Sequence, residues 1–191
     1  MVSSVQSAIL VCQLLEELAI VKSEEVTITR SQLTCMSEAT ARFFELIMIC
    51  FSTRNISDRS GIIELCTCLK NHPLTKKTPL FASMDHLHRD ITLQMQNAGL
   101  DFVEIRRPKE HIDPGYIFNL VRNGGVSIRT DRILAQLCPF LNYTPIDIRS
   151  ELITCRAYQN HMVLGGRRLR EVCEADSHLH CEYFLNPRLK S

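Results

Sequence analysis

Hydrophobic and polar positions change period several times along the chain. The stretch "EEVTITRS" (24–31) alternates β-branched with polar residues, as a strand does, and "ELIMICF" (45–51) is a continuous apolar run of buried-strand length. Between them "LTCMSEATARFF" has helical spacing, and after them a polar loop, "STRNISDRSG", leads into a second helical pattern, "IIELCTCLKNH". "TPLFASM" (78–84) predicts a third strand, "HRDITLQMQNAGL" a helix stopped by Gly99, and "DFVEIR" a further strand halted at Pro108. Near the start, "SAILVC" fits a strand, yet "SVQSAILVCQLLEELAIVK" also has helical spacing through Leu10, Leu14 and Leu18. The interval to the next strand is short for a full helix, so the sequence leaves two alternatives for this first strand: intact, or degraded or missing.

Strands alternating with helices imply βαβ units and a parallel sheet covered on both faces. A flavodoxin-like doubly wound sheet follows, with any site at the carboxyl ends of the strands. "PKEHIDPGYIFNLVRNGG" predicts a last helix of this unit, with Asp113 as cap, Pro114 in first position and a stop at Gly124 and Gly125. A further helix opens near Thr130 or Asp131. The pattern places a junction near 125, giving an α/β domain over 1–125 and a small module over 126–191.

Composition narrows the function classes. Of the 191 residues 45% are apolar, enough for a conventional core, and the net charge of +1 creates no field favouring nucleic acid or an anionic membrane. The apolar stretch near the start is broken by Gln13, Glu16 and Glu17, lacks the form of a signal peptide, and is too short and charged to span a membrane. A cytoplasmic protein without membrane association is expected. Nine cysteines, an odd number, argue for buried thiols, metal ligands or redox groups rather than a disulfide framework.

The run from "ELIMICFSTRN" through the loop closing in Gly61, the "TP" strand, the "AGLDF" turn and the basic residues before Pro108 resembles the second half of a response-regulator receiver domain. The resemblance spans roughly residues 5 to 125. It implies a site for phosphoryl transfer to an aspartate, with magnesium held by an acidic pair after the first strand. Carried over position by position, the acidic pair falls on Cys12 and Gln13, the acceptor aspartate on Cys50 and the switch hydroxyl on Met84, beside Ser83. Only a cation remains, Arg107 or Arg106 in place of the family's lysine. Magnesium needs hard oxygen ligands and phosphoryl transfer depends on that metal, so a degenerate phosphorylation site with no magnesium is expected. Cys50 then reads as a core residue in a retired site, a pseudo-receiver, or as a low-pKa thiolate beside Arg107 acting as a redox sensor.

The last 54 residues differ in composition, holding Cys138, Cys155, Cys173 and Cys181 with His161, His178 and His180. So short a module buries little core and commonly uses a metal. The four cysteines, with His178 as a substitute for one of them, form the candidate ligand set for zinc or an iron–sulfur cluster, against cysteines that pack as small hydrophobes. No CxxC pair is present, and "CEADSHLHC" is the most ligand-like piece. Arg167, Arg168 and Arg170 are either a solvated helix face or a small basic patch.

No phosphate-binding loop, dinucleotide fingerprint, nucleophile elbow or HExxH helix occurs, so no enzyme is expected. Three readings remain. The leading one is a non-catalytic signal-transduction protein that docks a protein partner outside phosphorelay control, with a metal-stabilised tail. A redox or metal sensor and a small DNA-binding regulator are the alternatives.

Overall fold

In the computed structural model, residues 8–14, 19–20, 25–106, 111–158 and 161–188 are described. Five strands, β1 (Ile9–Gln13), β2 (Val26–Thr29), β3 (Leu46–Phe51), β4 (Leu80–Met84) and β5 (Phe102–Ile105), form one sheet in the order β2-β1-β3-β4-β5. Every pairing is parallel. This is the flavodoxin-like order shared by receiver domains, which reverses between β1 and β3.

The first strand is intact and central, which decides between the alternatives the sequence left open. Leu10, Val11 and Cys12 are wholly buried because β1 pairs on both edges and is covered on both faces. A strand buried on every side carries no alternation, so its sequence cannot be told from a helix by period.

Helices α1 (Gln32–Ala41), α2 (Ile56–Asn71) and α3 (Arg89–Asn97) cover one face. Against them pack Leu10, Ile47, Ile49, Leu80, Ala82 and Val103. Helix α4 (Pro114–Arg122) and Ile20 of the β1–β2 connection cover the other, over Val11, Met48 and Phe81. Each such large side chain contributes roughly 1.5–3 kcal/mol by leaving water. Helix α1 is capped by Ser31, whose Oγ accepts from Thr34 N. Helix α4 is capped by Asp113, whose Oδ1 accepts from Gly115 N and Tyr116 N, with Pro114 in first position. Gly99, at φ +94°, ends α3 in the left-handed region. Helix α2 starts at Ile56, inside the stretch expected as loop, because its first turn is solvated and shows no apolar period.

The expected junction at 125 is not where the packing changes. A 3-10 turn (Val126–Ile128) and helix α5 (Thr130–Ala135) lie on the sheet domain, with Ile128 in its core and Thr130 Oγ1 donating to Leu100 O at 3.1 Å. A second core begins at Cys138. It belongs to an antiparallel sheet that the apolar pattern did not predict, of β6 (Leu141–Pro145), β7 (Glu151–Cys155) and β8 (Met162–Val163). The rest is short turns: a helical turn at Gly166–Arg168, a π turn at Leu169–Cys173, a 3-10 turn at Asp176–His180 and a last helical turn at Glu182–Leu185. No helix among the described residues is long and apolar enough to cross a membrane.

Candidate functional site

The carboxyl ends of β1, β3 and β4 are where a receiver-like sheet would carry its chemistry. Cys50 lies inside β3, fully buried, opposite Gln13 on one side and Ser83 on the other. Its side chain belongs to the core beneath α4, whereas Met84 belongs to the core beneath α1, α2 and α3. Successive strand residues face opposite ways, so the two do not meet in one site. Arg107 lies outside the described residues.

Burial pushes the Cys50 thiol up to about 12, with Cys12 adding to the shift and Arg106 offsetting part of it. Burial thus favours the protonated thiol over a thiolate at this position.

The polar residues stand just beyond the strands. Asp85, after β4, accepts from Ser52 Oγ at 2.6 Å, Thr53 N at 2.8 Å and Thr53 Oγ1 at 3.2 Å. Burial raises its pKa, but these donors and the neighbouring His86 outweigh it and hold the carboxyl below the usual range. Beside β1 lies a cavity of about 680 Å3, lined by Gln13, Arg30, Ser31, Gln32 and Asp58 among others. Asp58 accepts from Asn55 Nδ2 at 2.5 Å and Ser57 Oγ at 3.1 Å. Glu16 and Glu17 lie outside the described residues.

The tail closes over the adjoining edge. Glu151, on β7, takes a two-pronged ion pair from Arg59 of α2, at 2.5 and 2.7 Å. The same guanidinium donates through Nε to Thr53 O at 2.8 Å. Both side chains are only 13% and 12% exposed, so the pair is largely desolvated. His88, before α3, donates from Nε2 to Glu151 Oε2 at 3.1 Å. Its Nδ1 accepts from Ile91 N at 3.3 Å as the cap of α3. Those two partners fix a neutral imidazole protonated on Nε2.

Burial lowers the His88 pKa; the attraction of Glu151 opposes this and Arg59 supports it. Burial raises the Glu151 carboxyl, yet the Arg59 hydrogen bonds and the charges of His88 and Arg59 bring it below its ordinary value. Tyr143, on β6, stacks on His88 with centroids 3.7 Å apart, and its hydroxyl accepts from Arg89 N at 3.3 Å. None of Arg59, His88, Tyr143 or Glu151 stood out in the sequence. They are 92 residues apart at the extremes of the pair, and nothing in local spacing links them.

Of the candidate metal ligands, Cys138, Cys155 and Cys173 share one buried core. Cys138 N donates to Cys173 O at 2.8 Å, Leu141 N to Cys138 O at 3.2 Å, and Leu141 pairs with Cys155 across β6 and β7. Cys181 is half-exposed at the edge, accepting from Arg168 Nη2 at 3.7 Å. Burial pushes Cys173 up to about 12, with Cys138, Cys155 and Cys181 each adding to the shift.

His178 is buried, its Nδ1 donating to Ala175 O at 2.8 Å, which leaves Nε2 as an acceptor. The donor chemistry suits a thiophilic ion. The geometry does not form a ready site, since no group of three or more His, Cys, Asp or Glu among the described residues is arranged to hold a metal.

No protein-family profile matches the chain, and no curated protein matches it either. Among solved structures, the solution structure of a response regulator protein from Burkholderia multivorans is similar over 63% of this chain and 95% of that one, at 18% identity and a TM-score of 0.42. The receiver-like assignment therefore rests on the strand order and the helical cover described above.

Proposed function

We propose that this chain is a non-catalytic signalling adaptor, a pseudo-receiver whose output does not depend on phosphorylation and which docks a protein partner. The observation that carries this reading is the state of the carboxyl edge. The position matched to the acceptor aspartate is a fully buried thiol, and Asp85 is engaged by its own neighbours. The adjoining edge is covered by the tail through Arg59, Glu151 and His88.

A receiver signals by exchanging two arrangements of this edge, and a desolvated ion pair across it holds one of them. Incubation with acetyl phosphate and magnesium is expected to leave the protein free of acid-labile phosphate. Stoichiometric labelling would overturn the reading.

The tail is proposed to bind a thiophilic metal through Cys138, Cys155, Cys173 and Cys181, zinc in the first instance, with His178 able to replace one thiol. Support comes from Cys138, Cys155 and Cys173 sharing the small core of the tail, three of its six buried apolar residues. Binding would draw them into closer register and displace their protons. An iron–sulfur cluster in the same thiols would make the tail a redox sensor acting on the clamped edge. Metal analysis with an absorption spectrum, on protein purified without oxygen, separates the two: zinc alone supports a structural tail, and iron with sulfide supports the sensor.

A further inference from the structure

Between the tail and the sheet domain lies a cavity of about 410 Å3, within the range of small-molecule sites. Its position beyond the ends of β3 and β4 is where open α/β sheets take ligands. Three guanidinium groups reach it from separate segments: Arg54 from the β3–α2 loop, Arg149 from the β6–β7 turn and Arg170 from the π turn. None of the three has a carboxylate within ion-pair distance among the described residues. Arg54 instead contacts His86, Nη2 to Nε2 at 2.6 Å.

The lining sets four arginines, Arg54, Arg59, Arg149 and Arg170, against two carboxylates, Glu151 and Glu174, and Glu151 is already matched by Arg59. The cavity therefore carries an excess of positive charge. Its walls also offer Leu87, Ile153, Leu169 and the ring of Tyr143. Convergent arginines match phosphate oxygens, and apolar walls with an aromatic ring suit a flat hydrophobic group.

We propose that this cleft between the two modules binds a nucleotide, with Arg149 and Arg170 on the phosphate and the base against the apolar wall. Both modules contribute to the site, so the ligand would favour the tail-docked arrangement. Binding of this kind requires neither a metal in the tail nor the loss of phosphoryl chemistry.

The test is equilibrium calorimetry on the full chain at low ionic strength, with AMP, GMP, CMP, UMP and inorganic phosphate as probes. At least one nucleotide is expected to bind about tenfold or more tighter than phosphate. The Arg149→Gln/Arg170→Gln double variant is expected to weaken it by about tenfold or more. Arg122→Gln, on the exposed end of α4 and outside the cleft, is the control and is expected to leave binding unchanged. Both altered arginines are exposed, so the double variant should keep the parent's circular dichroism. Absence of binding by all four nucleotides, binding no tighter than that of phosphate, or equal weakening by Arg122→Gln would overturn the proposal.

Discussion

The two modules of this chain are built on different physics. The sheet domain buries Phe51, Phe81, Met48 and a series of Leu and Ile residues on both faces of five parallel strands. The tail has six buried apolar residues in its core, of which three are cysteines. The first can hold itself together by apolar burial alone. The second has a smaller buried core, and it draws also on contact with the sheet domain through Arg59, Glu151 and His88. A sheet of this design specifies its own structure, whereas the tail's structure is specified largely by what it touches.

Substitutions in the two regions should behave accordingly. Phe81→Ala empties a fully buried position and is expected to cost about 3–5 kcal/mol, read as a fall in the denaturation midpoint of both modules together. Glu151→Ala leaves Arg59 buried without its partner and is expected to cost about 1.5–3 kcal/mol, confined to undocking of the tail. Asp113→Ala removes a helix cap on the opposite face and should cost about 1 kcal/mol without altering the tail. Cys173→Ser should abolish tail protection in hydrogen exchange while the sheet's midpoint stays within about 1 kcal/mol. A shift of the sheet as large as that of Phe81→Ala would break the contrast between the modules.

A smaller effect sharpens it. His88 and Glu151 both have folded-state pKa values below their ordinary ones. Each group thus contributes stability that is fully present above its unfolded value and is lost as pH falls through the folded one. Tail docking should weaken first as pH drops below the ordinary histidine value of 6.5, and further in the carboxylate range below 4.5. Protonation of His88 Nδ1 also removes the acceptor that caps α3. Fluorescence of a probe on the tail, followed against pH, would detect this, and an acid transition unchanged in His88→Gln would contradict it.

Most of the sheet domain was legible because its central strands are short apolar runs bounded by polar turns and its helices repeat their apolar positions. "TPLFASM" and "HRDITLQMQNAGL" became β4 and α3, and Asp113 with Pro114 marked α4. The tail was not legible for the opposite reason. Its strands are short, β6 ends in Pro145, and its helical pieces are single turns, so no period has room to show. Cys138, Cys155 and Cys173 were singled out by residue type and do share one core. The Cys50 and Met84 positions were matched one by one along the chain, which cannot register that the pleat sends them to opposite faces. The clamp of Arg59, His88 and Glu151 depends on long-range pairing alone.

The central claim is that the tail is a fixed cover on the carboxyl edge of the sheet. Hydrogen exchange read by mass spectrometry over residues 52–60 and 85–91, in the parent and in Glu151→Ala, tests it most directly. The account predicts protection of both loops in the parent and its loss in the variant, with the strands β3 and β4 unchanged. Fast exchange of these loops in the parent, or equal protection in both proteins, would contradict it.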